Sequence, residues 1–256
     1  MAGFRGRLAL LQSLTAPTLL PALPPGVPRV LLVRDVRYWD RWTNHETGWR
    51  RLAKGLYQRA LAPAVARFRE QTGAAVARAD LVVANSAFLA GRLQVRFGRE
   101  ALVVYPRTPL APEPLPPGSV AGMVGDGADK GGLILRALAR AFPDVTFRLH
   151  LRRPGRVPLP PNVVPAPWES DPARLYHDVR LMLVPSQVDE AYGRVAAEAL
   201  GHGVPVLASR RGGLPEAVPD LAWTVAEPER RSACSTTGWR PPSIWNSRPD
   251  EIEGRV

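Results

Sequence analysis

The sequence predicts an α/β protein built on parallel sheets, and two observations carry that prediction. Short β-rich runs alternate with helical stretches from residue 29 to residue 208, an order typical of strands joined by crossover helices. Several runs are apolar without interruption, as expected of strands that are covered on both faces. The predicted strands are 29–33, 81–84, 101–105, 120–124, 146–151, 181–184 and 204–208, and the predicted helices are 55–78, 86–97, 131–141, 171–178 and 191–201.

The start of the chain superficially resembles a signal peptide, because two arginines precede an apolar stretch at residues 8–23. Polar residues and, by Pro25, four prolines interrupt this region. No stretch in it approaches the ~20 apolar residues that a membrane span requires. We therefore predict that residues 1–28 form a helix and a proline-rich turn that lead into the first strand.

A proline-rich segment divides the chain. Residues 106–118 contain six prolines and no periodic pattern, so we predict a linker there. It separates a partial N-terminal α/β domain, residues 1–110, from a C-terminal α/β domain, residues 119–231. The last residues, 232–256, show no periodicity and little that could pack, and we predict that this tail is disordered.

The composition narrows the classes of function. The formal charge of +11 comes almost entirely from scattered arginine, since Lys54 and Lys130 are the only lysines. Such a surface attracts anions, for example diphosphates or lipid headgroups. No zinc-finger spacing or recognition helix is present, so nucleic acid is not predicted as a partner. The single cysteine, Cys234, excludes an internal disulfide and a thiolate zinc site. We expect a cytoplasmic protein, with peripheral contact to a membrane left open.

The most informative segment runs from residue 183 to residue 218, LVPSQVDEAYGRVAAEALGHGVPVLASRRGGLPEAV. It predicts a strand, an acidic loop, a helix from residue 191 and a second strand that leads into a glycine pair. Eight residues separate Glu190 from Glu198, a rise of ~12 Å along a helix. That is too far for the acid–base pair of a glycosidase. The spacing would instead let the two carboxylates bind opposite ends of a long polar ligand. The amides of residues 191–193 lie between the two carboxylates, where an anion is favoured.

The pattern of Glu190, seven residues and Glu198, followed by GHGVPVLAS and GGLPE, resembles the retaining family-4 (group 1) glycosyltransferases of GT-B fold. The resemblance spans roughly residues 29–228 and implies two Rossmann-like parallel-sheet domains. The N-terminal one is expected to be incomplete, because nothing ahead of residues 29–33 corresponds to the family's glycine-rich loop and first βα units. The upstream segments that resemble the family are 29–40, 79–98, 101–106 and 123–149.

The resemblance implies a donor site for a nucleotide diphosphate-sugar. Glu190 would contact hydroxyls of the donor sugar, and Glu198 would contact the ribose. Lys130 would neutralise the diphosphate as the glycosidic bond breaks, so Glu190 and Lys130 are the candidate catalytic residues. No metal and no cofactor is implied. The further donor-binding candidates are Ala191, Tyr192 and Gly193, through their amides, and Gly125 in the phosphate loop.

Two other positions bear on the acceptor and the phosphates. Arg34 and Asp35 follow the predicted strand 29–33 where the family often carries a His-Asp pair, so they are acceptor-side candidates; the acceptor would be a sugar or a glycolipid. The family usually places an arginine some five residues before its phosphate lysine. This chain has Gly-Asp-Gly there, and Asp126 would repel phosphate unless it faces away.

Three functions remain open from the sequence. The leading one is transfer of a sugar from a nucleotide diphosphate donor to an acceptor with retention. The second is a truncated or degenerate relative that binds a nucleotide sugar, or none, without turnover. The third is a basic protein that binds nucleic acid or a membrane surface, whose binding to polyanions would depend steeply on salt.

Overall fold

Two parallel sheets make up the protein. The computed structural model describes residues 8–12, 15–35, 48–152, 158–218 and 224–225. Within these residues, four strands form one sheet and six form the other, and all the strand pairings are parallel. The predicted α/β class is therefore confirmed. The tail predicted to be disordered, residues 232–256, lies outside the described residues.

The first sheet carries its strands in chain order. Its last helix, α3, begins where Ser86 Oγ accepts a hydrogen bond of 3.0 Å from the amide of Leu89, and it ends at Gly98 in the left-handed conformation, as helices commonly do. The strands are β1 (Ala9–Gln12), β2 (Arg29–Val33), β3 (Leu81–Ala84) and β4 (Leu102–Val103), and the helices are α1 (Ala16–Leu19), α2 (Gly48–Arg78) and α3 (Ala87–Phe97).

The prediction of a helix near the start of the chain is wrong for residues 9–12, which form β1 and pair with β2. Ala9 and Leu11 are buried, whereas Leu8 and Leu10 are exposed, which is the two-residue period of a strand. Apolar residues on both faces concealed this alternation in the sequence. A strand therefore does precede the one at residues 29–33.

The second sheet has the order β10-β9-β8-β5-β6-β7. A short 3₁₀ turn, Ala128–Lys130, follows β5. The strands are β5 (Val120–Val124), β6 (Phe147–Leu151), β7 (Val163–Pro167), β8 (Val179–Val184), β9 (Val206–Ser209) and β10 (Thr224–Val225), and the helices are α4 (Gly132–Ala141), α5 (Pro172–Tyr176), α6 (Arg194–Gly201) and α7 (Leu214–Ala217).

The sequence did not predict β7, because prolines at positions 165 and 167 argue against a strand. Proline has no amide hydrogen to give to a neighbouring strand, so it is tolerated only where one side of the strand is unpaired. Among the described strands, β7 is at the edge of the sheet and pairs with β6 alone. The edge position therefore explains how this proline-containing segment is a strand.

Both faces of the second sheet are covered, as the continuous apolar runs predicted. In β8, Leu181 and Leu183 pack into the cluster formed with Leu135 of α4. Met182, between them, packs into the opposite cluster with Ala196 of α6. The strand buries side chains on both sides, which a single solvent-facing sheet would not require.

The order in which successive strands are added to the second sheet reverses between β5 and β8, which are parallel neighbours. It runs outward from β5 through β6 to β7, then returns to place β8 on the other side of β5. The loops that follow β5 and β8 lead into α4 and α6, which cover opposite faces of the sheet. In open α/β sheets, ligands bind at this switch point.

Candidate functional site

The loops after β5 and β8 meet at the switch point and are packed tightly against each other. The amide of Gln187 donates to the carbonyl of Asp129 at 2.7 Å. Gly131 has φ +88°, and a Cβ on it would lie 2.3 Å from the carbonyl oxygen of Pro185. Only glycine fits so close an approach in this conformation. The two loops are consequently held in one fixed arrangement.

This arrangement brings Lys130 and Glu190 together. Lys130 Nζ lies 2.5 Å from Glu190 Oε1, and the two side chains are 38% and 20% exposed. The same carboxylate oxygen accepts a hydrogen bond of 2.6 Å from Ser186 Oγ. A cation and a hydroxyl therefore fix the carboxylate in place while both charged groups remain accessible.

Sequence reasoning missed Ser186, which is 2% exposed. Its hydroxyl binds Glu190, and its carbonyl accepts a hydrogen bond of 2.8 Å from Ser209 Oγ at the end of the neighbouring strand β9. Its position directly after a predicted strand at the carboxyl edge was the available signal.

A cavity of about 420 Å³ opens beside the ion pair, within the size range of small-molecule sites. The second sheet contributes Lys130 and Glu190 to its wall, together with Arg152 from the end of β6. The first sheet contributes Arg34 and Asn85. The cavity is therefore a cleft between the two sheets, with a predominance of positive charge.

Helix α6 begins at Arg194, three residues later than predicted, with Gly193 as its N-cap at φ +106°. A Cβ on Gly193 would lie 2.5 Å from Leu214 Cδ2. Before the helix, Glu190 forms a parallel β-bridge with Gly212, which keeps the backbone at Glu190 extended. The predicted amide donors of residues 191–193 therefore precede the helix, and all three residues line the cavity.

Glu198 lies apart from Glu190. Its Oε1 accepts a hydrogen bond of 2.7 Å from Arg194 Nη2, and its Oε2 is 3.4 Å from the hydroxyl of Tyr176. Burial raises the pKa of Tyr176 above its usual value, and the nearby charge of Glu198 adds to that shift. Glu198 is not among the cavity-lining residues of the described chain, but its hydrogen-bond partner Arg194 is.

The remaining predicted residues are divided between the cavity and its surroundings. Gly125 directly follows β5 at φ +81°, and a Cβ there would contact Lys130 Cγ at 3.7 Å. Arg34 lines the cavity; Asp35 and Asp126 are not among its described lining residues.

Asn85 was also missed by sequence reasoning. It is 7% exposed, and it lines the cavity at the end of β3. Its Oδ1 is buried without a hydrogen-bond partner among the described residues. Buried side-chain oxygens are nearly always paired, so this oxygen is a candidate partner for a ligand in the cavity.

The described residues contain no group of three or more His, Cys, Asp or Glu side chains placed to hold a metal ion. None of the helices in these same ranges is both long enough and apolar enough to cross a membrane.

Comparison with known proteins finds similarity in segments of the chain. Residues 152–241 match the sequence profile of the family described as "Family 4 Glycosyltransferase in conflict systems". The chain is 49% identical over 55 residues to lipopolysaccharide 1,2-N-acetylglucosaminetransferase of Salmonella typhimurium. It is 46% identical over 57 residues to D-inositol 3-phosphate glycosyltransferase of Mycobacterium marinum.

Residues 152–241 of the chain are similar to the family-4 glycosyltransferases. The sequence matches cover 21% and 22% of this chain and only 14% and 12% of the two curated relatives. They therefore establish the relationship of a segment and leave the activity of the whole chain to be tested.

Solved structures of glycosyltransferases confirm the GT-B-like fold. Sucrose-phosphate synthase from Thermosynechococcus elongatus aligns with a TM-score of 0.60 at 17% identity, over 88% of this chain and 61% of that one. The Anabaena protein HepE in complex with UDP aligns with a TM-score of 0.56 at 21% identity, over 86% of this chain and 64% of that one. At these identities the likeness shows the fold alone, that is, two Rossmann-like units facing each other across a cleft.

Proposed function

We propose that this protein transfers a sugar from a nucleotide diphosphate-sugar to an acceptor, with retention of configuration at the anomeric carbon. The observation that supports it most is the Lys130–Glu190 pair, 2.5 Å apart at the switch point of the second sheet. It lies in the cleft to which the first sheet contributes Arg34 and Asn85. A cation and a carboxylate side by side suit a ligand with a diphosphate next to sugar hydroxyls.

In this proposal Lys130 neutralises the leaving group. The bond between the anomeric carbon and the diphosphate oxygen breaks, and negative charge builds up on the departing nucleoside diphosphate. An ammonium held in a partly enclosed site stabilises that charge. The acceptor hydroxyl forms the new bond on the same face of the sugar and gives its proton to the departing diphosphate.

Glu190 orients the donor sugar. Ser186 and Lys130 both bind its Oε1, so its Oε2 is the oxygen that sugar hydroxyls would reach. The backbone of residues 191–193 lines the same wall and can offer amides to the sugar or the phosphates. For Glu198 to bind a ribose, its hydrogen bond from Arg194 would have to be exchanged for ribose hydroxyls.

The acceptor would approach from the side of the first sheet. Arg34 lies on that wall, and its guanidinium suits an acceptor that carries an anionic group. A glycolipid acceptor and peripheral membrane contact are supported by the exposed face of α2, where Trp49, Leu52 and Leu56 are each at least 67% exposed and Lys54 lies among them in sequence.

The experiment is thermal denaturation of the chain with a panel of UDP-, GDP- and ADP-sugars. Binding to the native state raises the melting temperature by mass action, and Lys130→Ala should abolish the shift. The matched control is Lys54→Ala, which removes the other lysine of the sequence, on α2, and should keep it. No shift with any donor, in a protein that melts cooperatively, would contradict the proposal.

A transfer assay then separates the two leading functions. Donors that stabilise the chain are incubated with sugar and lipid acceptors, and release of the nucleoside diphosphate is measured. Turnover supports the transferase. Stabilisation by a donor without turnover on any acceptor supports a protein that binds nucleotide sugar and does not transfer it.

A further inference from the structure

A carboxylate from the part of the chain that forms the second sheet binds the N-terminus of a helix that packs on the first sheet. Glu216 lies on α7, yet its Oε2 accepts a hydrogen bond from the amide of Ala87 and its Oε1 accepts one from the amide of Phe88, both at 2.7 Å. These amides belong to the first turn of α3, where no partner exists within the helix. A negative charge there is favoured by the helix dipole.

A third hydrogen bond reaches the same carboxylate from the segment between the units. The hydroxyl of Tyr105, two residues after β4, donates to Glu216 Oε2 at 2.9 Å. The hydrogen bond to Glu216 is the main reason that the pKa of Tyr105 is raised above its usual value. The Tyr105 ring also packs against Tyr192, with 5.6 Å between centroids, beside the loop that carries Glu190.

The start of α3 makes a second contact with the loop that carries Glu190. Ser86 caps α3 and also donates its hydroxyl hydrogen to the carbonyl oxygen of Ala191. Ala191 packs against the apolar cluster of the first sheet, although it immediately follows Glu190 in the chain. The residue next to the candidate catalytic carboxylate is therefore held by the opposite unit.

We propose that Glu216 is a positioning residue that sets the width of the cleft. Glu216 and its three donors, from Ala87, Phe88 and Tyr105, form what we call the clasp. The clasp holds the start of α3 against α7, and the Ser86–Ala191 contact carries the same constraint to the loop of Glu190. Arg34 and Asn85, on the first sheet, thereby face Lys130 and Glu190 at a fixed distance.

The carboxylate suits this task better than a neutral group would. Hydrogen bonds to an ionised acceptor are shorter and stronger than those between neutral groups, and three donors converge on Glu216. Its removal would leave two amides of α3 without a protein partner, and both would then favour water over the closed interface. Loss of this one side chain should therefore shift the cleft towards wider states.

The clasp is tested first by a distance, independently of any activity. Spin labels are attached through Val95→Cys on α3 and Leu133→Cys on α4, which are 89% and 51% exposed, in a Cys234→Ser background. Double electron–electron resonance should give one narrow distance distribution for the parent and a broader, shifted one for Glu216→Ala. An unchanged distribution in Glu216→Ala would overturn the proposal.

Glu169→Ala is the matched control. Glu169 also accepts two hydrogen bonds from backbone amides, those of Ser170 at 2.8 Å and Asp171 at 3.0 Å, but all three residues lie in one loop. Its substitution should leave the distance distribution as in the parent. If Glu216→Ala does not fold, Glu216→Gln replaces it, because the amide keeps the shape and one acceptor while presenting a donor to one of the three donors. A parent-like distribution in Glu216→Gln would then overturn the proposal.

The catalytic consequence rests on the proposed function and has its own readout. Donor binding involves groups of the second sheet's unit, so donor affinity should stay within twofold in Glu216→Ala. Transfer needs both walls, so kcat with acceptor should fall at least tenfold. If the chain proves to have no transfer activity, the distance experiment still decides the clasp. Reduced transfer with an unchanged distance would overturn the clasp and leave the transferase standing.

Discussion

Ser186 determines how firmly Glu190 is held, and this can be tested at the level of one hydroxyl. Ser186→Ala removes the 2.6 Å hydrogen bond to Glu190 Oε1 and leaves Lys130 as the one remaining partner of that oxygen among the described residues. Transfer should slow about tenfold, the effect of ~1.4 kcal/mol for a hydrogen bond to a charged group. The measurement is kcat/KM for the donor.

Ser209→Ala is the control for that prediction, because its hydroxyl binds the backbone of Ser186 and does not touch Glu190. It should change kcat/KM by less than Ser186→Ala. Equal losses in the two variants would mean that the loop as a whole, and not the hydrogen bond to Glu190, carries the effect.

Asn85 should separate function from stability. Because its Oδ1 is buried without a partner among the described residues, Asn85→Ala removes a group that these residues leave unsatisfied. We expect a melting temperature equal to or above that of the parent, and a higher KM for the acceptor. Both are measured on the same preparation, the first by thermal denaturation and the second by the transfer assay.

The contrasting variant is Asn162→Ala. Asn162 Nδ2 lies within 3.0 Å of the carbonyl oxygens of Ala139, Phe142 and Val145, so the fold uses both hydrogens of this amide group. Its removal should lower the free energy of unfolding by ~1–3 kcal/mol and leave the acceptor KM unchanged. A loss of stability in Asn85→Ala comparable to that in Asn162→Ala would show that Asn85 is structural.

Single residues also show where sequence reasoning reached its limit. Lys130 and Glu190 are 60 positions apart, yet the family resemblance marked both, and the carboxyl-edge rule for parallel sheets applies to both loops. Asn85 also directly follows a predicted strand, β3, but the burial of its oxygen without a partner among the described residues is visible only in the three-dimensional structure. The pairing of Glu198 was open to prediction, since Arg194 stands four residues before it, the spacing of a helical ion pair.

At the level of elements, the start of α6 depends on one glycine. Gly193→Ala places a Cβ 2.5 Å from Leu214 Cδ2 at a φ of +106°, which L residues rarely adopt. The loop of residues 190–193 should move, so the variant should lose donor-induced stabilisation and melt at a lower temperature. Thermal denaturation with and without donor measures both effects.

Gly91→Ala is the matched control for that element. Gly91 lies inside α3, and a Cβ there would meet nothing within 4 Å. Alanine is favoured over glycine in a helix by ~1 kcal/mol, so this variant should melt slightly higher and keep donor binding. Donor binding retained in Gly193→Ala would contradict the role of the glycine in shaping the loop.

Elements were predicted well where one physical signal dominated and poorly where two competed. The apolar runs at 120–124 and 29–33 became strands with these bounds, because buried parallel strands need such runs. β7 was missed because the proline signal outweighed the strand signal, and only the edge position reconciles the two. The pairing of β1 with β2 is a tertiary contact, which local sequence cannot show.

At the scale of the whole molecule, two tyrosines near the contact between the two sheets' units should make that contact depend on pH. Burial raises the pKa of Tyr192 above its usual value. The pKa of Tyr105 is raised chiefly by its hydrogen bond to Glu216. A tyrosine whose pKa is raised on folding binds its proton more tightly in the folded state. Its contribution to stability is therefore complete below the unfolded pKa of ~10 and is lost as pH rises through the folded value.

The clasp should consequently open in alkali before the sheets unfold. Above the raised pKa of Tyr105, its oxygen can no longer donate to Glu216, and the phenolate repels the carboxylate. In the spin-labelled protein, the distance distribution should be constant below pH ~10 and broaden in steps above it, while circular dichroism still reports the folded sheets. Tyr105→Phe has no proton to lose at this position, so its distribution should be slightly broader than the parent's at neutral pH and should lack the Tyr105-dependent alkaline step. A step of the same size in Tyr105→Phe would place the titrating group elsewhere and remove Tyr105 from the clasp.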